Sequence, residues 1–144
     1  MRSALRQLDR FQRISLACAL LLAASASGVG TAAAQEPIEG YMAWIGPQDL
    51  VNSRGQRLNS AAQVIRQDRA NFHHFGRRDP GDEWDPFFAT PENRDWLERA
   101  LTGRIPGWMA QEILRGGVFV EVTVWGRGGR AQAVTVDIPE PCGC

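Results

Sequence analysis

The sequence predicts a small α+β single domain, with two to three helices packed on an antiparallel sheet of about three strands that ends in a C-terminal hairpin. Three observations predict it. Val118, Val120, Val122 and Val124 alternate with Phe119, Glu121, Thr123 and Trp125, and a second alternation over 131–138 follows the turn Gly126-Arg127-Gly128-Gly129. Residues 60–73 repeat apolar side chains at three- and four-residue spacing. Thr90-Pro91-Glu92 joins a capping side chain, a proline suited to the first helical position and an acid at the positive end of a helix dipole.

Arg2, Arg6, Arg10 and Arg13 precede an apolar run from Ile14 to Ala24, and a small-residue stretch ends at Ala32-Ala33-Ala34. This is the order of a secretory leader, and Ala32 and Ala34 fit the narrow pocket of signal peptidase. Residues 1–34 are therefore expected to be a cleavable signal peptide, with 35–144 as one mature domain in a periplasmic or secreted setting. The run from 14 to 24 falls short of the roughly 20 residues that span a bilayer, so no stable membrane span is expected in the mature chain.

In the mature part, 35–40 reads as a polar lead-in and Tyr41–Ile45 as a short strand, closed by Gly46-Pro47. A helix follows from Ser60 to about His73, stopping by Gly76. Ser60 and Gln63 have capping-box spacing. Ala61, Ile65 and Phe72 form its apolar side, with Ala62 and the stem of Arg69 beside them, while Arg66, Gln67, Asn71 and His74 are expected on the polar side. Residues 76–89 are broken by Pro80, Gly81 and Pro86. At least two of Trp84, Phe87 and Phe88 should fold back as plugs, and Asp79 and Asp85 should pair with Arg77, Arg78 or a backbone N–H. Helices are expected from Thr90 to Gly103 and from Trp108 to Leu114, the latter with Trp108 among its core residues. Tyr41–Ile45 is the best third strand for the hairpin, because two strands alone are marginal.

From residue 35 on, twelve Arg stand against fifteen Asp plus Glu, a balance near −3, and the chain has no Lys. A nucleic-acid partner is not expected, since such binders need a basic surface. His74 with Asp79, Asp82 and Asp85 is a constellation suggestive of a metal site; adjacent His73 and His74 point about 100° apart on a helix, so both rarely reach one ion. The alternate acids from Asp79 to Asp85 fail the calcium-loop pattern, having Trp84 at the sixth position and Thr90 at the twelfth. Cys142-Gly143-Cys144 suits a local disulfide, and a thiol–disulfide redox role or a metal-ligand role is the alternative. No serine lies in a nucleophile elbow, so the sequence leans away from an enzyme. Phe119, Trp125 and Trp84 are candidate partner-binding residues. The resulting expectation is a small exported non-enzymatic protein that binds a protein partner or supports an envelope assembly, with a metal or redox protein and a polysaccharide-binding module as alternatives. The sequence names no cofactor.

Overall fold

A computed structural model describes residues 34–140. They fold as an α+β domain in which three helices cover one face of a three-stranded antiparallel sheet ending in a β-hairpin. The elements in chain order are β1 (Glu36–Ile45), α1 (Ala61–Ala70), α2 (Pro91–Leu101), α3 (Gly107–Arg115), β2 (Val118–Arg127) and β3 (Arg130–Asp137). Strand order is β1-β2-β3, so the hairpin strand β2 is central. The third strand pairs where expected but starts earlier. The lead-in is part of β1, and Pro37 is tolerated because it lies near the start of an edge strand.

Register puts every second residue on the helix side. Tyr41, Ala43 and Ile45 stand opposite Val122, Val120 and Val118, and Val122 and Val124 stand opposite Val136 and Val134. These side chains meet Val64 and Ile65 of α1, Leu97 and Leu101 of α2, and Met109 and Ile113 of α3 in one core. The other face of the sheet carries Met42, Trp44, Phe119, Glu121, Thr123, Trp125, Thr135 and Asp137, with no helix over it. Residues in β-strands alternate sides, so one sequence period writes both faces.

Thr90 caps α2 as its sequence implies, its hydroxyl accepting from the Asn93 N–H at 3.3 Å. Ser60 does stand at the N-cap of α1, but its side chain makes no capping bond. The helix then widens into a π turn over Asn71–Phe75, and Gly76 closes it at φ 65°, a left-handed conformation natural to glycine.

Two expectations about sides are corrected. Gln67 and Asn71 are buried rather than on a polar face. The Gln67 amide donates to Asn71 Oδ1 at 2.9 Å and the Asn71 amide donates to Asp49 Oδ1 at 2.7 Å, so burial leaves these groups satisfied. Trp108 is 60% exposed and does not enter the core; Met109 and Ile113, one and five positions on, take the inner side of α3. Among the plugs, Phe88 is buried and Phe87 half-buried against Phe88 and Trp96, while Trp84 is 66% exposed.

These placements separate two substitutions of large apolar residues. Leu97→Ala should lower unfolding free energy by about 2–5 kcal/mol through loss of burial and cavity formation. Trp108→Ala should change it by less than about 0.5 kcal/mol. Urea titration checks both, and a large loss in the Trp108 variant would contradict its placement.

Candidate functional site

The residues with the most chemistry gather where the loop after α1 meets the edge of β1. Arg69 is completely buried. It lies four residues after Ile65 and three before Phe72, so helical geometry points it into the apolar stripe. Its Nε donates to Asp68 Oδ2 at 2.8 Å, and its Nη1 donates to Asp85 Oδ2 at 2.8 Å and to the Glu83 carbonyl at 3.1 Å. The guanidinium carbon lies 4.0 Å from the centre of the Tyr41 ring and 4.5 Å from that of Phe72. His73, in the π turn, places Nε2 at 3.1 Å from Asp85 Oδ2. The other Asp85 oxygen accepts the Phe88 N–H at 2.7 Å. Asp85 thus ties α1, the π turn and the loop together.

The loop passes these ties on to the sheet. Asp82 Oδ1 accepts the Trp44 N–H and Glu83 Oε2 accepts the Met42 N–H, each at 2.9 Å. The Glu83 N–H in turn donates to the Met42 carbonyl at 2.8 Å. These are the backbone groups that β1, as an edge strand, would otherwise leave open. At the loop's far end Arg94, mostly buried, donates from Nη1 to the carbonyls of Phe88 and Ala89 at 2.8 and 2.9 Å. Gly81 takes φ 99° beneath the Phe119 ring, and a Cβ there would overlap ring carbons.

The four residues singled out for a metal do different work. Asp85 holds Arg69 and His73, Asp82 accepts from Trp44 and, at 2.8 Å, from the Asp79 N–H, and His74 is exposed. Asp79 packs its Oδ2 against Gly46. Among the described residues, no group of three or more His, Cys, Asp or Glu side chains is placed to hold a metal ion. Asp85 takes the expected backbone N–H, that of Phe88, and its arginine partner is Arg69, which approaches from inside the domain, instead of Arg77 or Arg78. The hydroxyl of Tyr41 has no hydrogen-bond partner among the described residues. Cys142 and Cys144 lie outside the described residues, as do residues 1–33 of the expected leader.

Burial governs the ionisation of this region. Desolvation pushes the Asp68 carboxyl up to about 7 against the pull of Arg69. It pushes the Asp49 carboxyl up to about 6, although Asn71 and the Gly46 N–H bond the charged form. Burial also opposes the Arg69 charge, but Tyr41, Asp68 and Asp85 outweigh it and keep the guanidinium protonated. A His–carboxylate pair is half of a general-base arrangement. Here the carboxylate also serves Arg69 and a backbone amide, and no other hydrogen bond to His73 is found among the described side chains. The cluster is a clasp for the loop.

A second place of interest lies on the uncovered face of the sheet. Trp44 and Phe119 meet edge to face, ring centres 4.9 Å apart. With Met42, Val118, Ile138 and Pro139 they line an open apolar groove of about 510 Å³, and Glu140 stands at its rim. Of the three residues expected to bind a partner, Phe119 borders this groove, Trp84 is exposed on the loop, and Trp125 is half-buried with its indole N–H donating to Thr135 Oγ1 at 2.9 Å. Nothing local in the sequence marks Trp44 and Met42 as binding residues, because a strand alternates sides and the residues of 41–45 do not tell which side stays uncovered. No family model, curated protein or solved structure matches this chain.

Three outcomes follow from the clasp. Asp85→Ala should cost about 3–5 kcal/mol of unfolding free energy, because it removes one of the two carboxylates on a buried guanidinium and leaves only Asp68 against it. Asp82→Asn should cost about 1–2 kcal/mol, since an amide cannot accept from both N–H groups that the carboxylate serves; a silent Asp82→Asn would contradict the edge bonds. Asp49 and Asp68 hold their protons more tightly folded than at their usual value of 3.8. Their contribution is full below about pH 4 and is lost as pH rises through 6 and 7. Urea unfolding should therefore show greater stability at pH 5 than at pH 8, with a shallower decline in Asp49→Asn, and stability rising over that window would contradict the assignment.

Proposed function

We propose that this chain is a small exported, non-enzymatic protein that docks a polypeptide partner on the uncovered face of its sheet. The carrying observation is the apolar groove floored by Met42, Trp44 and Phe119, which sits on the face that no helix covers. Large side chains on a solvated sheet face are the composition of a binding core, where aromatics and methionine are enriched. The export part rests on the leader pattern of residues 1–34 and gains support from the start of β1 at Glu36. Cleavage after Ala34 would leave the first strand whole, and Ala34 and Gln35 are exposed. Among the described residues no helix is long and apolar enough to cross a membrane.

The test is to recover cross-linked partners of the wild-type protein and of Met42→Lys from the cell envelope. The variant puts a charge on the groove floor without touching the core, so its Tm should hold while the cross-linked species disappears. Equal cross-linking by a folded Met42→Lys protein would reject the docking face. Intact mass of the exported protein should correspond to a chain starting at Gln35; a mass that retains residues 1–34 would reject the export reading.

A further inference from the structure

The uncovered face carries a second pattern beside its apolar floor. Glu121 of β2 and Asp137 of β3 stand directly opposite one another in register. Both are exposed, and neither has an ion-pair partner among the described residues. Like charges facing each other across a ladder destabilise a sheet. Here the repulsion is placed next to the groove, because Met42 is the partner of Glu121 on its other side. Glu140 adds a third carboxylate at the rim. The arginines on these strands, Arg127 and Arg130, lie at the hairpin tip, six positions along β2 from Glu121, or roughly 20 Å at strand rise, and Arg104, which lines a pocket with Asp137, makes no ion pair with it among the described residues.

Resting on the docking reading above, we propose that the partner segment is cationic: a peptide carrying arginine or lysine next to a large apolar side chain. The apolar side chain sits on Met42, Trp44 and Phe119, and the cation spans Glu121 and Asp137. The site's charge is complementary to that occupant and repels an acidic one, which sets specificity as well as encounter rate. A guanidinium suits the pair best, since its planar fork reaches two carboxylates at once.

The experiment titrates the purified protein with three synthetic ten-residue peptides, built on alternating Arg-Leu, Ser-Leu and Glu-Leu, and reads Kd from tryptophan fluorescence. The Arg-Leu peptide should bind more tightly than Ser-Leu, and Glu-Leu should not bind. A double variant Glu121→Gln/Asp137→Asn should weaken Arg-Leu by about tenfold, the equivalent of 1.4 kcal/mol, and leave Ser-Leu unchanged. A control Glu92→Gln/Glu112→Gln, with the same change in net charge on the helices, should leave both unchanged. Equal Arg-Leu affinity in wild type and the Glu121/Asp137 variant, or equal weakening by the control, overturns the cationic assignment. Ser-Leu binding that Met42→Lys abolishes would then still support the docking face, whereas binding indifferent to Met42→Lys rejects that face. Two other outcomes also overturn the proposal: a dimer of the free protein that Met42→Lys dissociates assigns the groove to a second copy, and cellohexaose binding that Arg-Leu cannot displace assigns it to sugar.

Discussion

Arg69 and Asp85 form a buried ion pair whose consequence is mechanical more than energetic. Taking two charges out of water is expensive, and a close pair offsets that only when the remaining hydrogen-bonding capacity is filled. The pair meets that condition in large part: Asp68, the Glu83 carbonyl, the Phe88 N–H and His73 bond to it and the rings of Tyr41 and Phe72 lie against the guanidinium, while Arg69 Nη2 has no hydrogen-bond partner among the described residues. These groups come from β1, from α1 with its π turn, and from the loop. The pair therefore fixes where the loop from Asp79 to Phe88 runs.

That path decides what the sheet can offer to solvent. Held at Glu83 and Asp85 by Arg69 and at Phe88 and Ala89 by Arg94, the loop presents Asp82 and Glu83 to the amides of Trp44 and Met42. The edge of β1 is closed by side-chain acceptors instead of another strand, one of the ways natural sheets prevent edge-to-edge pairing. The same loop brings Gly81 beneath Phe119, so the outer aromatic pair is supported from below. Clasp, strap and groove thus form one sequence of contacts, from a charge inside the domain to an apolar floor on its surface.

How much of this could be read from the residues depends on the distance over which each feature is encoded. The hairpin, the α2 cap at Thr90 and the glycine stops are local patterns, and they appear as expected except that β2 runs on through Gly126 and Arg127, leaving Gly128-Gly129 as the turn. The clasp is not local. Arg69 and Asp85 are sixteen residues apart, and a charge on an apolar stripe was read as an aliphatic stem because its partner lies across an irregular loop. The local hint is Arg69 itself, which falls in step with Ile65 and Phe72 on the apolar stripe with Asp68 beside it. Gln67 and Asn71 have the same cause: their polarity suggests exposure, yet Asp49 from another element meets Asn71, which in turn accepts from Gln67. Trp108 misled in the opposite direction. The acids from Asp79 to Asp85 read as a ligand set, whereas the oxygens of Asp82, Glu83 and Asp85 are directed at backbone amides and arginine.

Hydrogen exchange of the backbone amides measures the strap directly. Strand alternation directs the amides of Tyr41 and Ala43 toward β2 and those of Met42 and Trp44 toward the loop carboxylates, while Val134 and Val136 face outward along the far edge of β3. If the clasp holds Asp82 and Glu83 in place, Met42 and Trp44 exchange as slowly as Tyr41 and Ala43 and much more slowly than Val134 and Val136. Exchange of Met42 and Trp44 at the rate of the open β3 edge would show that the loop does not close β1, and the account would fail at its centre.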